Sequence, residues 1–181
     1  MKKQAILLAA LIGAASAQAQ VYTTVAAGTS HLNDSCAGVT TCDLSDTGVK
    51  LIGGYGFGNG FSLEVGYLSF GKFHAADSTA SVTLKPTAFT LGGAYALPLG
   101  TDWGMNFRLG FAQVKTKASA VVGTLSGSGS ESKGTAYAGL GVTYAVSKTV
   151  KFELGVDSTQ AEIAGAKDTV RLISLGATFA F

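Results

Sequence analysis

Apolar residues recur at every second position along most of this chain, the period of a strand with one apolar face. Eight runs keep this period. In residues 47–57, Val49, Leu51, Tyr55 and Phe57 stand opposite Gly48, Lys50, Ile52, Gly54 and Gly56. In 61–70, Phe61, Leu63, Val65 and Tyr67 alternate with Ser62, Glu64 and Gly66. The cleanest run starts at Trp103 and sets Met105, Phe107, Leu109 and Phe111 against Gly104, Asn106, Arg108, Gly110 and Ala112. The same pattern marks 21–30, a run ending at Leu97, about 134–146, 150–160 and 168–181. Pro86 is expected near the upper end of the run that closes at Leu97, where a missing N–H donor is tolerable.

The connections alternate in length. Residues 58–60, 98–102 and 147–149 are short links, whereas 31–46, 71–82 and 117–133 are long and 161–167 is intermediate. An even number of strands brings both ends of the chain to one side, and outer-membrane barrels keep short turns on that side and long loops on the other. The third long connection carries Ser126-Gly127-Ser128-Gly129-Ser130 and is expected to be a mobile loop.

Alternation alone also fits a soluble barrel or sandwich with an apolar interior, so the second face has to decide. In water that face would be rich in Lys, Glu, Asp and Arg. Here it is mostly Gly, Ala, Ser and Thr, small enough to fill the lumen of eight strands. Charged residues are 13% of the chain, about half the usual share, while Gly contributes 25 of 181 residues, which leaves little to cover a wetted surface. No segment beyond the N-terminus is long and apolar enough for a spanning helix, so the spanning architecture left is a closed barrel. The expected fold is all-β: an eight-stranded antiparallel up-and-down transmembrane β-barrel with its large apolar face toward lipid. Phe57, Phe61, Tyr95, Trp103, Tyr144, Phe152, Phe179 and Phe181 fall near the short-turn ends, as an interfacial girdle would.

The N-terminus agrees with export. Met1-Lys2-Lys3 is a positive start, 5–15 an apolar stretch, and Ala17-Gln18-Ala19 a small-x-small cleavage site. Residues 1–19 are expected to be removed, leaving 181 − 19 = 162 residues, 20–181, as one barrel domain. Two lysines go with the leader, so the net charge of +2 becomes 0, and nothing points to nucleic acid as a partner.

Lys50, Glu64, Arg108, Lys151, Glu153 and Asp157 all fall on the small-residue face. On lipid an Arg or Lys would cost about 2–4 kcal/mol at mid-membrane, so these charges belong in the lumen. Counted from the short-turn end, Glu64 and Glu153 lie roughly 10 Å up and Arg108 roughly 16 Å, which predicts a Glu64/Arg108/Glu153 cluster with Lys50 and Asp157 above it. Such a cluster can neutralise a packed interior or gate a very narrow pore. Cys36 and Cys42 lie in the first long loop, and an oxidising export route makes a disulfide between them the expectation. His31 is near Cys36 but has no second histidine or cysteine pair in reach, so no metal site is expected. His74, Asp77 and Ser78 lie close together in the second long loop, where a lipid-modifying acyl-transfer site would need such a trio; polar loops also supply such trios by chance. No phosphate-binding glycine motif is present, no cofactor is implied, and the expected role is non-enzymatic.

The leader, the eight runs, Leu63-Glu64-Val65-Gly66-Tyr67, and the closing Ser174-Leu175-Gly176-Ala177-Thr178-Phe179-Ala180-Phe181 resemble the small outer-membrane barrels that include the transmembrane domain of outer membrane protein A and the opacity-type proteins. The resemblance covers the whole mature chain. It implies the outer membrane of a Gram-negative bacterium, loops outside and termini in the periplasm, with lipid and lipopolysaccharide around the wall and an extracellular ligand at the loops as a further partner. Leu175, Phe179 and Phe181 match the terminal signal by which such barrels are recognised by the outer-membrane assembly machinery. The narrow-pore gate is also proposed for similar barrels. No peptidoglycan-binding domain follows residue 181 in this sequence, so cell-wall anchoring is not carried over.

Overall fold

The computed structural model describes residues 20–33, 40–123, 125–163 and 166–181. The leader, and Cys36 with its neighbours, lie outside the described residues. Ten strands follow in order: β1 (Gln20–Asn33), β2 (Thr41–Asp43), β3 (Ser45–Gly56), β4 (Phe61–Ser69), β5 (Phe73–Ala76), β6 (Ala80–Pro98), β7 (Trp103–Val122), β8 (Leu125–Ala145), β9 (Val150–Ile163) and β10 (Ala166–Ala180). Eight of them close into an antiparallel ring, β1-β3-β4-β6-β7-β8-β9-β10 and back to β1. Closure satisfies every ladder inside the sheet, which hydrocarbon demands because it offers no hydrogen bonds to an open edge. The short strands β2 and β5 extend the sheet at the long-loop end, where β5 pairs with β6 from Phe73↔Leu84 to Ala76↔Ser81.

The two faces divide as the period of two demands. Val25, Leu51, Leu63, Val65, Leu91, Leu154 and Leu175 point outward and are exposed, as are Phe89, Leu109 and Phe111 at 65%, 71% and 79%. Thr24, Ala26, Ile52, Ala88, Thr90 and Ala112, their sequence neighbours or near neighbours, are buried in the lumen. Aromatic pairs mark the short-turn rim, with Phe61 and Tyr95 ring centroids 4.7 Å apart and Trp103 and Tyr144 5.0 Å apart.

Three features depart from the sequence expectations. The segment 117–133 is not a mobile loop but a continuation of the β7–β8 ladder, paired as far as Val122↔Leu125, with Ser126 to Ser130 opposite Val121 to Lys117. Thr116, Val121 and Val122 favour a strand, small Gly and Ser offer no obstacle to pairing, and Gly123 at φ 58° supplies the reversal. Pro86 sits well inside β6, not near its end. It is tolerated because β6 changes neighbours there, from β4, whose pairing ends at Thr87, to β5, whose pairing starts at Leu84. Its carbonyl still accepts the Phe70 N–H at 3.2 Å, so the missing donor faces the gap between β4 and β5.

The third departure concerns what fills the barrel. The half of the lumen toward the long loops is apolar, with Leu32, Leu68, Phe70, Phe73, Val114, Val170 and Leu172 packed together and Leu44 and Leu84 against them. Small and polar residues such as Ser30, Thr116 and Ala161 share that half, but large apolar side chains, which the expected lining lacked, fill most of it. Leu68 and Phe70 continue the inward parity of Glu64 and Gly66, so the apolar plug obeys the alternation and extends it above the charged level.

Candidate functional site

Five of the six charges expected in the lumen meet in one network. Arg108 on β7 donates from Nε to Glu64 Oε2 of β4 at 2.9 Å, and from Nη1 and Nη2 to both oxygens of Glu153 on β9 at 2.8 and 2.7 Å. Lys50 on β3 reaches across to Asp157 at 2.7 Å and Glu153 at 3.2 Å. All five side chains are at most 7% exposed. Lys151 shares the inward parity of Glu153 but stands exposed at the short-turn mouth and takes no part, because two residues lower the wall no longer encloses it.

The strands position these groups through small neighbours. Arg108 pairs in register with Gly139 of β8, and Gly139 with Asp157 of β9. A Cβ at Gly139 would come 2.7 Å from Asp157 Oδ1 and 3.2 Å from Arg108 Cβ, so glycine is what lets the guanidinium cross β8 to Glu153. Two cations face three carboxylates, and neutral donors serve the surplus. Tyr22 donates to Glu64 at 2.6 Å, Tyr137 to Asp157 at 2.5 Å, and Asn106 Nδ2 to Glu153 at 3.0 Å. These three were not singled out from the sequence, though all three carry the inward parity that a search for partners would have used. Every charge is thereby hydrogen-bonded, the condition under which ions are tolerated at such depth.

The arrangement neutralises its own charges and fills this level of the lumen with buried side chains. Ser174 Oγ is a buried hydroxyl with no hydrogen-bond partner among the described residues. Outside the lumen, the hydrogen bonds of the loop trio do not link His74 to Asp77 or Ser78 among the described residues. His74 Nδ1 lies 3.1 Å from Thr83 Oγ1 across β5–β6. Asp77 Oδ1 accepts the Ser78 N–H at 2.6 Å and the Thr40 hydroxyl at 2.9 Å. The Ser78 N–H, and after it the Thr40 hydroxyl, hold the Asp77 carboxyl below its ordinary range. His31 lies at the rim with Nδ1 2.9 Å from Ser45 Oγ. Cys42 lies in β2, across from Ala75 of β5. Among the described residues no three of His, Cys, Asp and Glu converge as metal ligands.

A closed antiparallel ring, apolar outside and ion-paired inside, defines a transmembrane β-barrel of the outer-membrane class. Within that class the chain belongs to the OmpA-like transmembrane domain family, whose family model matches residues 16–179. It is thus an outer-membrane β-barrel protein in the manner of Gram-negative bacteria. Solved structures of the same fold include Ail, the attachment invasion locus protein of Yersinia pestis, at 16% identity and TM-score 0.61, covering 91% of this chain and 99% of that one. Neisserial surface protein A shares 18% identity at TM-score 0.64 over 89% of this chain and 97% of its own. OprG from Pseudomonas aeruginosa gives 15%, 0.56, and 91% and 96%. A comparison with curated protein sequences finds no match.

Proposed function

We propose that this protein is a non-enzymatic barrel: a sealed transmembrane anchor that contributes to envelope integrity and carries its extended long-loop end on the cell surface for contact. The observation that carries this is the double closure of the lumen. The Lys50/Glu64/Arg108/Glu153/Asp157 network blocks one level, and Leu68, Phe70, Phe73, Val170 and Leu172, each at most 1% exposed, block the level above it. In this orientation the long loops are extracellular, both termini periplasmic, residues 1–19 a removed leader, and Leu175, Phe179 and Phe181 the tail presented to the assembly machinery. The surface role draws on the β6–β7–β8 wall that rises beyond the ring and on the β2–β5 addition beside it. Ail of Yersinia pestis has been solved with the heparin analogue sucrose octasulfate. Lys72, between β4 and β5 at the long-loop end, is exposed, which makes sulfated glycans the first ligands to screen there.

Planar-bilayer recording of the refolded protein tests the sealed lumen. Silence at single-protein insertion is expected; steady openings would mean that the network is a working gate. An epitope inserted at Gly127 should be bound by antibody on intact cells, and binding only after permeabilisation would reverse the orientation.

A further inference from the structure

The outer wall of β6, β7 and β8 carries three lysines directly above outward positions that bear no charge. Lys85 and Lys117 are direct cross-strand partners, and Lys115 stands two residues below Lys117 on the same outward face. Like charges directly opposite each other destabilise a sheet. None of the three has an ion-paired or hydrogen-bonded side-chain partner among the described residues. The flanking outward positions are Thr87, Gln113, Ser130 and Ser132, and Glu131 lies on the other face of the ladder, opposite buried Thr116. The wall holds three cations together, and among the described residues no carboxylate is paired with any of them.

Their depth says what does. Ten residues separate Trp103, in the short-turn girdle, from Gln113 on β7. At about 3.4 Å per residue and a tilt near 40°, they climb about 26 Å, the height of the apolar band of an outer-membrane barrel. Lys115 and Lys117 therefore stand just above the hydrocarbon edge, at the level of lipid headgroups. Immediately below them an open groove of about 480 Å³ runs along the wall, bounded by Phe89, Leu91, Phe111 and Gln113 and floored on β8 by Gly134 and Ala136. In register the rows read Leu91–Phe111–Ala136, then Phe89–Gln113–Gly134, then Thr87–Lys115–Ser132, then Lys85–Lys117–Ser130. An apolar trough thus ends in a cationic platform.

We propose that this wall binds one phosphorylated glycolipid of the surrounding outer leaflet. Its phosphate lies between Lys85, Lys115 and Lys117, and an acyl chain lies in the groove beside Phe111 over Ala136. The assignment rests on the orientation given above, which puts the long-loop end in the lipopolysaccharide leaflet.

The test uses full-length protein refolded in detergent, with native mass spectrometry against three probes: lipid A, the same lipid stripped of its phosphates, and inorganic phosphate. Wild-type protein should retain one lipid A, and the K85Q/K115Q/K117Q variant should bind it at least about tenfold more weakly. The dephosphorylated lipid should not distinguish the two proteins. Ala136→Trp, which fills the trough and keeps the lysines, should weaken lipid A binding as well. Heat-modifiable migration verifies that each variant folds. A second readout is a reversal of sign: without lipid the triple variant should melt higher than wild type, since like charges are gone, and with lipid A it should melt lower. Equal retention of lipid A by wild type and triple variant overturns the proposal, as does displacement by millimolar inorganic phosphate, the mark of a free-anion site. The epitope at Gly127 separates the two possible failures. If it is reached on intact cells while lipid A binding ignores the lysines, the lipid site is wrong and the orientation stands; if it is periplasmic, both fall.

Discussion

Arg108→Met should be among the most damaging single substitutions in this barrel. The guanidinium makes three charge-assisted bonds, one to Glu64 and two to Glu153, all under cover. Removing one partner of a buried ion pair costs about 3–5 kcal/mol, because the charge left behind is neither solvated nor paired. Here both stranded carboxylates keep a donor: Glu64 retains the Tyr22 hydroxyl, and Glu153 retains Lys50 and Asn106. The expected loss therefore sits at the lower end, about 3 kcal/mol, or about two decades in the folding constant. The double variant Arg108→Met/Glu153→Met takes out one cation and one anion together. It leaves Lys50 on Asp157 and Glu64 on Tyr22, and should recover to within about 1 kcal/mol of wild type. Reversible urea unfolding in phospholipid vesicles, followed through the single Trp103, measures all three proteins. A loss below about 1 kcal/mol for the single variant, or a double variant worse than the single, would refute the account of Arg108 as the counterion that keeps two buried carboxylates tolerable.

A Cβ at Gly54 would overlap the ring of Tyr22, so Gly54→Val should push that ring off Glu64 and cost about 2 kcal/mol in the same unfolding assay; an unchanged midpoint would show that the lumen has slack there. At the rim, the depressed Asp77 carboxyl makes its bonds to Ser78 and Thr40 fully present above the ordinary aspartate value of about 3.9, and these are lost as pH falls through the lower folded value. The Ser78 amide shift should titrate with a midpoint below about 3.9 and stop titrating in Asp77→Asn; a midpoint at or above that value would contradict the hydrogen bonds. Cys36 and Cys42 are expected to be bridged, a short-loop link contributing about 2 kcal/mol, so neither thiol should alkylate before reduction. Alkylation of both in the unreduced protein would remove the bridge from the picture.

Much of this molecule is readable from its alternation. Because side chains on a strand point to opposite faces in turn, the positions of Leu51, Leu63, Phe111 and Leu175 on one side and Lys50, Glu64, Arg108 and Glu153 on the other follow from counting alone. Hydrocarbon then assigns the faces, since it accepts the first set and rejects the second. Short turns, a closed ring and the outer membrane come from the same reasoning. Counting does not say who pairs with whom across the lumen. Lys50 meets Asp157 over a gap spanned by no hydrogen-bonded neighbour of β3, and that meeting depends on the stagger and tilt set when β1 closes on β10. Lys151 has the right parity and the wrong height, and only the end of the wall shows it. The apolar plug of Leu68, Phe70 and Phe73, the rim pair β2–β5, and the Gly/Ser segment drawn into a ladder arise because strands with a neighbour in place keep pairing past the bilayer, where local sequence is silent about who stands alongside. Lys85 and Lys117 lie more than thirty positions apart, and only the register of β6 on β7 brings them face to face.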